Sequence, residues 1–142
     1  MAAVIGLEPE AVRKACVSVT TEGNVVVPAN YNAPGQIVVS GDVPAVEAAM
    51  AAASEMGARK VIPLTVSGAF HSPLMEPILD EVEGIASGIA FRAPQLDLVS
   101  NVSGRVAGSE VASASYWRQH IRGAVRFADG MVAAHETGVD VY

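Results

Sequence analysis

Three histidines, His71, His120 and His135, are the residues of this sequence best suited to acid–base chemistry at neutral pH. An imidazole with a pKa near ~6.5 can both accept and return a proton in that range. His71 lies between an apolar segment ending at Val66 and the helix-start signal Ser72-Pro73. Catalytic residues of α/β proteins commonly occupy such strand-to-helix junctions, so His71 is the candidate general base. A histidine simply packed in a loop is the alternative interpretation.

The sequence supplies no evident nucleophile for His71. The Gly-x-Ser-x-Gly motif, which presents a catalytic serine on a sharp strand-to-helix turn, does not occur in the 142 residues. The nearest approximation, Gly84-Ile85-Ala86-Ser87-Gly88, has the wrong spacing. Cys16, the single cysteine, falls on the apolar side of an early predicted helix, where a buried thiol is unreactive. We therefore predict that Cys16 belongs to the core and that any serine partner lies outside these residues.

Two other polar groups allow two interpretations each. Residues 30–36, predicted as a turn between strands, concentrate amide side chains that could orient a polar ligand or satisfy turn backbone. Arg118, Arg122 and Arg126 form a basic group that could contact an acidic partner or lie on solvated surface. His135 is expected near the end of an exposed helix, where a cation interacts favourably with the helix dipole.

Composition limits the class of protein. With 142 residues, 51% hydrophobic and 17% charged, the chain is expected to fold into one domain or two small lobes rather than remain disordered. Nine Lys and Arg against fifteen Asp and Glu, a net charge of -6, argue against a nucleic-acid partner. We expect no membrane span, because no run of about 18 apolar residues occurs. A single cysteine fits a reducing cytoplasm, and neither a metal nor a cofactor is predicted.

The first 66 residues predict the element order β-α-β-β-α-β. Strands are expected at 1–7, 25–27, 36–40 and 60–66, and helices at 8–16 and 43–56, the second capped by Asp42. Six elements in this order within about 65 residues are typical of the α+β ferredoxin-like fold. That fold packs two helices on one face of a four-stranded antiparallel sheet. Residues 1–66 are therefore predicted to be a small subdomain.

Residues 67–142 follow a different pattern. An amphipathic helix is predicted from Pro73, followed by a strand at 96–100, helices at 115–122 and 127–137, and a strand at 139–142. A chain that begins and ends inside predicted strands is expected to be part of a larger protein.

Five segments together resemble the malonyl-CoA:acyl carrier protein acyltransferases of fatty acid synthesis and the acyltransferase domains of polyketide synthases. The histidine segment is Gly68-Ala69-Phe70-His71-Ser72-Pro73-Leu74-Met75. Four further segments agree in order with the family: residues 1–7, 30–41, 100–104 and 116–127. The resemblance covers essentially the whole chain. It implies a ferredoxin-like lobe at 1–66 and, at 67–142, the truncated C-terminal part of an α/β hydrolase-like core.

The resemblance also implies a mechanism. In the family, a serine attacks the thioester of malonyl-CoA, a histidine acts as its base, and the malonyl group then passes to the thiol of an acyl carrier protein. His71 matches that histidine. The family orients its histidine through a backbone carbonyl, which the resemblance places at His120. An acceptor in that role fixes the tautomer of the imidazole, as the aspartate of a catalytic triad does.

The same resemblance also has implications for substrate specificity and for which parts of the family's active site this chain contains. Phe70, directly before the histidine, goes with malonyl rather than methylmalonyl substrates in the polyketide branch. The family's serine elbow and carboxylate-binding arginine precede the region that Met1 resembles, so this chain alone is expected to be inactive and to expose apolar surface. Residues 30–36 are more similar to the free-standing enzymes and 116–120 to the polyketide domains. A non-enzymatic ferredoxin-like module that binds a ligand or partner is the alternative function.

Overall fold

A computed structural model describes residues 1–140 and shows a mixed α/β structure. Its first part contains four strands and two helices in the predicted order: β1 (Ala2–Ile5), α1 (Pro9–Val19), β2 (Val26–Ala33), β3 (Gln36–Gly41), α2 (Val43–Glu55) and β4 (Lys60–Pro63). The strands form one sheet in the order β2-β3-β1-β4, in which all neighbours are antiparallel. The predicted β-α-β-β-α-β order is therefore confirmed.

One apolar core joins the sheet to both helices. Alternate residues of a strand point to the same face, and Val4, Ile37 and Val39 lie in this core at such positions. The helices contribute Val12 and Cys16 from α1 and small residues of α2, chiefly alanines. Because residues of both helices contact the same strand face, α1 and α2 lie on one side of the sheet.

Several details of this region differ from prediction: β1 and β4, for example, are shorter than the predicted strands at 1–7 and 60–66. Strand β2 extends to Ala33, so the amide-rich segment belongs largely to the strand and the turn is only Pro34-Gly35. Asp42 does not cap α2 with its side chain. Its carboxylate accepts a hydrogen bond from the Val25 N–H at 2.7 Å, and its own N–H donates to the Val25 carbonyl at 2.9 Å. The Asp42 carboxylate thus bonds to the backbone of Val25, 17 residues away, instead of to an N–H of the helix that it precedes.

The second part contains α3 (Leu79–Ser87), β5 (Val99–Ser100), β6 (Arg105–Val106), α4 (Ala114–Arg122) and α5 (Phe127–Glu136). The helix predicted from Pro73 begins as a 3₁₀ segment, Pro73–Ile78, that contains Pro77. Proline lacks the N–H that an α-helix uses, so regular α-helix starts only after it. Further 3₁₀ structure, Ser109–Ala112, precedes α4.

Strand predictions were less accurate here. The strand predicted at 96–100 is reduced to β5, which pairs antiparallel with β6. Of the strand predicted at 139–142, residues 139 and 140 are not in a strand, and 141–142 lie outside the described residues. Within residues 1–140, no helix combines the length and apolar character needed to cross a membrane.

Candidate active site

His71 occupies a strained position at the start of the second part of the chain. Its φ is 58°, in the left-handed region, and it is the only non-glycine residue among the described residues 1–140 with a positive φ. Non-glycine residues rarely adopt this conformation, and such strain concentrates at functional sites. The loop between β4 and the 3₁₀ segment therefore presents His71 in a geometry that the surrounding contacts must maintain.

The imidazole of His71 contacts a backbone carbonyl from a distant segment. Its Nδ1 lies 2.9 Å from the carbonyl oxygen of Gly123, 52 residues along the chain. A carbonyl oxygen can only accept a hydrogen bond, so Nδ1 carries the proton in this contact. In the neutral ring Nε2 is then unprotonated and able to accept a proton from a substrate or nucleophile. This is the tautomer that a general base requires.

The carbonyl that His71 Nδ1 contacts is therefore that of Gly123, and not that of His120 as expected. His120 lies inside the last turn of α4, where carbonyls point along the helix axis. Gly123 follows the helix in an extended conformation, with φ -74° and ψ 152°, and its carbonyl turns away from that axis. A glycine directly after a predicted helix is a common helix-end signal, and it was the available clue to this residue.

A close approach explains why glycine occupies position 123. Its N–H donates to the Gln119 carbonyl at 2.7 Å, which ends α4. A Cβ atom at this position would lie 2.9 Å from the same Gln119 oxygen. Glycine thus permits both the helix end and the extended exit that brings the carbonyl to His71.

Neighbouring residues fix the His71 loop from both sides. The buried Ser72 accepts a hydrogen bond from the Leu74 N–H at 3.3 Å and donates one to the Ala69 carbonyl at 2.6 Å. This confirms the predicted helix cap. The His71 N–H donates to the Ile121 carbonyl at 3.3 Å, so main chain and side chain of His71 both bond to the end of α4.

The side chain of His120 lies beside the candidate base. Its ring centroid is 6.2 Å from that of His71, and it packs among the rings of Tyr116 and Trp117. Burial lowers the pKa of His120, and the nearby charge of His71 lowers it further. The neutral form is therefore favoured, and His120 forms an uncharged wall next to His71.

Phe70 projects from the same loop, with 44% of its surface exposed. Its ring covers Gly68: a Cβ at that glycine would lie 3.1 Å from Phe70 Cζ. Because Gly68 has no side chain, the ring of Phe70 can pack directly against its backbone. Phe70 thus precedes the candidate base in the chain, and its ring packs against Gly68 while remaining exposed to solvent.

Cys16 is buried in the core, as predicted. It is 1% exposed within the core, and desolvation raises the pKa of its thiol to about 12. The thiolate, which is the nucleophilic form, is thus scarce at neutral pH. His135 lies exposed in the last turn of α5, whereas His71 bonds to the end of α4.

Arg118, Arg122 and Arg126, the predicted basic group, form ion pairs within the chain, the last of them with Asp129. Arg118 contacts Asp80 and Glu83 at 2.5 and 3.1 Å, and Arg122 contacts Glu76 at 3.1 Å. Exposed pairs of this kind contribute little to stability, because water screens the two charges. The pairs of Arg118 and Arg122 join α4 to the helical segment that follows His71. Among residues 1–140, no group of three or more His, Cys, Asp or Glu side chains could hold a metal ion.

Known proteins are similar to this chain in both sequence and structure. Residues 2–142 match the family model described as "Acyl transferase domain". The chain is 36% identical over 142 residues to the malonyl CoA-acyl carrier protein transacylase of Bacillus subtilis, covering 100% of this chain and 45% of that protein. It is 48% identical over 110 residues to the mycoketide-CoA synthase of Mycobacterium tuberculosis, covering 78% of this chain and 3% of that protein.

A solved malonyl-transacylase, in complex with its type II polyketide synthase acyl carrier protein, has the same fold. It superposes with a TM-score of 0.90 at 35% identity, over 97% of this chain and 44% of that one. The chain thus spans less than half the length of this transacylase and of the Bacillus relative. The family match extends over nearly every residue, and the His71 loop lies within it. The chain therefore belongs to the acyl transferase domain family.

Proposed function

We propose that the protein carrying this chain transfers a malonyl group from malonyl-CoA to the thiol of an acyl carrier protein, in fatty acid or polyketide biosynthesis. The observation that carries the proposal is the hydrogen bond of 2.9 Å between His71 Nδ1 and the Gly123 carbonyl. It leaves Nε2 as the proton acceptor in a strained loop. Relatives named as malonyl transacylases supply the reaction class.

The proposed mechanism has two symmetrical half-reactions. In the first, His71 Nε2 takes the proton of a serine hydroxyl while the serine oxygen bonds to the thioester carbonyl carbon. The carbon–sulfur bond breaks, and the imidazolium returns the proton to the departing CoA thiolate. In the second, the carrier thiol loses its proton to Nε2 and its sulfur bonds to the carbonyl carbon of the malonyl ester. The ester carbon–oxygen bond breaks, and the imidazolium reprotonates the departing serine oxygen. The Gly123 carbonyl stabilises each imidazolium through Nδ1–H.

The proposal divides the chain into two regions. Residues 1–66 form a ferredoxin-like small subdomain, supported by the antiparallel sheet and the single core shared with α1 and α2. Residues 67–142 form part of the hydrolase-like acyltransferase core. Large apolar side chains of this second region are exposed, including Ile85 at 65% and Leu96 at 84%. Exposed apolar surface is suited to contact with further protein.

The serine nucleophile in this proposal comes from outside the 142 residues, because the sequence has no Gly-x-Ser-x-Gly motif. We propose malonyl-CoA and acyl carrier protein as partners, with no nucleic acid, no membrane and no cofactor, and a cytoplasmic location. The non-enzymatic alternative is not favoured, because the relatives of the whole chain are acyl transferases.

Malonylation measured by intact mass tests the proposal directly. After incubation with malonyl-CoA, the 142-residue chain should gain no mass, because its one thiol is buried and no serine elbow is present. The same chain joined to the rest of its gene product should gain one malonyl group, which acyl carrier protein then removes. A stable adduct on the 142-residue chain alone would contradict the assignment of the nucleophile to another segment.

Phe70 is proposed to exclude the extra methyl group of methylmalonyl substrates. In the complete protein, Phe70→Ser should raise the ratio of kcat/KM for methylmalonyl-CoA over malonyl-CoA by about 10-fold or more, since steric selection in an apolar pocket is worth ~1–3 kcal/mol. Competition assays with both substrates measure this ratio. Phe91→Ser, which removes an aromatic ring stacked on Trp117 rather than one next to His71, is the control. An unchanged ratio in Phe70→Ser would remove Phe70 from the acyl pocket.

A further inference from the structure

The connection between α4 and α5 is attached by its backbone to the edge of the four-stranded sheet. The Val125 N–H donates to the Ala29 carbonyl at 2.8 Å, and the Val125 carbonyl accepts from the Tyr31 N–H at 2.8 Å. These bonds form an isolated parallel bridge on the outer side of β2, opposite its partner β3. Ala29 is fully buried, and Asn30, Tyr31 and Val125 are half-buried.

This bridge lies two residues from the carbonyl that contacts His71. The direction of the Gly123 carbonyl depends on the Gly123 ψ of 152°, and therefore on the path of the chain immediately after it. Upstream, the Gly123 N–H is held by the end of α4. Downstream, Val125 is the first residue with a backbone bond to another element, and the Arg126 N–H then donates to the Asn101 carbonyl at 2.8 Å.

A glycine has no side chain with which to fix its own peptide plane. Glycine also has a wider range of backbone conformations than other residues, so its carbonyl direction must be imposed by neighbouring contacts. The pair of Val125 bonds is the nearest such constraint on the downstream side. Both bonds are short, at 2.8 Å, and they join the connection to a strand whose other side pairs with β3.

We propose that the backbone bridge between Val125 and β2 is a positioning element for the catalytic histidine. It holds the Gly123 carbonyl where it accepts from His71 Nδ1, and so keeps the imidazole in the tautomer with a free Nε2. The small sheet thereby takes part in catalysis through one strand edge. This inference rests on the proposed function of His71 as a base. Val125 itself touches no reacting atom and acts only through Gly123.

The test removes the Val125 N–H in the complete protein, first by Val125→Pro and then by replacing the Val125 amide with a backbone ester. We expect kcat for malonyl transfer to fall about 10–100-fold with KM nearly unchanged, because small misplacement of a catalytic group is costly. In ¹⁵N-histidine spectra, the population of the Nδ1–H tautomer of His71 should fall. The ester keeps the side chain, so it covers the possibility that proline prevents folding.

Thr21→Pro is the matched control. Thr21 forms the other isolated bridge of the described structure, with Asn24, in the turn between α1 and β2. Proline at this position removes the Thr21 N–H, which donates to the Asn24 carbonyl at 3.0 Å. The loss of this comparable backbone hydrogen bond should leave both kcat and the His71 spectrum unchanged. Wild-type kcat and His71 signals in a folded ester variant would overturn the proposal, as would equal losses in Thr21→Pro. Failure of the proposed function is distinguishable, since the tautomer signals report positioning even if His71 proves unnecessary for transfer.

Discussion

His71→Ala should slow malonyl transfer by about 10²–10⁴-fold in the complete protein, the loss typical of removing a general base. Both half-reactions should slow, because the same Nε2 deprotonates the serine and then the carrier thiol. The fold should survive. The variant loses the single hydrogen bond to Gly123, worth about 1 kcal/mol, while Ser72 still caps the following segment. Single-turnover acylation and carrier-transfer assays, with thermal unfolding alongside, measure these effects.

His135→Ala is the matched control for this prediction. His135 is exposed near the end of α5, where its backbone carbonyl accepts from the Gly138 N–H. Its replacement should leave transfer within about 2-fold of the wild type, as expected for a surface substitution. Equal losses in the two variants would show that His71 is not the base. Near-normal transfer by His71→Ala with a lowered unfolding temperature would assign it a structural role.

Gly41→Ala should destabilise the protein by about 3 kcal/mol, a severe effect for one added methyl group. Gly41 ends β3, where a Cβ atom would lie 2.0 Å from the Val25 carbonyl oxygen and 2.7 Å from Val26 Cα. Those are backbone atoms, held in place by the reciprocal hydrogen bonds between Val25 and Asp42. The strand must therefore shift to accept the methyl group. Chemical denaturation with circular dichroism measures the loss.

Gly84→Ala, the same substitution at another glycine, should have the opposite effect on the free energy of unfolding. Gly84 lies in the interior of α3, exposed, with no atom within 4 Å of where its Cβ would stand. Alanine there should stabilise the protein by about 0.5–1 kcal/mol, because it reduces the conformational entropy of the unfolded chain. If both variants changed the free energy of unfolding equally, the tight contact at Gly41 would not govern its stability.

Local patterns in the sequence determined most elements of the fold. The positions of α4 and α5 were predicted to within one residue at each end, because turn residues and helical spacing act over a few residues. The burial of Cys16 followed from its place on the apolar side of α1. Short strands were predicted less well: β5 has two residues where five were expected, since strand length depends on the partner strand.

The candidate base could also be predicted from the sequence, because a histidine between a strand and a Ser-Pro helix start is a local signal. The Ser72 cap and the loop position of His71 both follow from neighbouring residues. The conformation of His71 did not follow, because a φ of 58° in a non-glycine residue is imposed by contacts from elsewhere in the fold.

The sequence by itself therefore determined which residue could act as the base, and the tertiary structure decided which carbonyl its ring contacts. The His71 ring meets Gly123 across 52 residues, and that pairing depends on how α4 ends and where Val125 meets β2. Asp42 likewise bonds to Val25, 17 residues away, instead of capping its own helix. Side-chain type and local spacing limit what a residue can do, whereas its partner is selected by three-dimensional packing of distant segments.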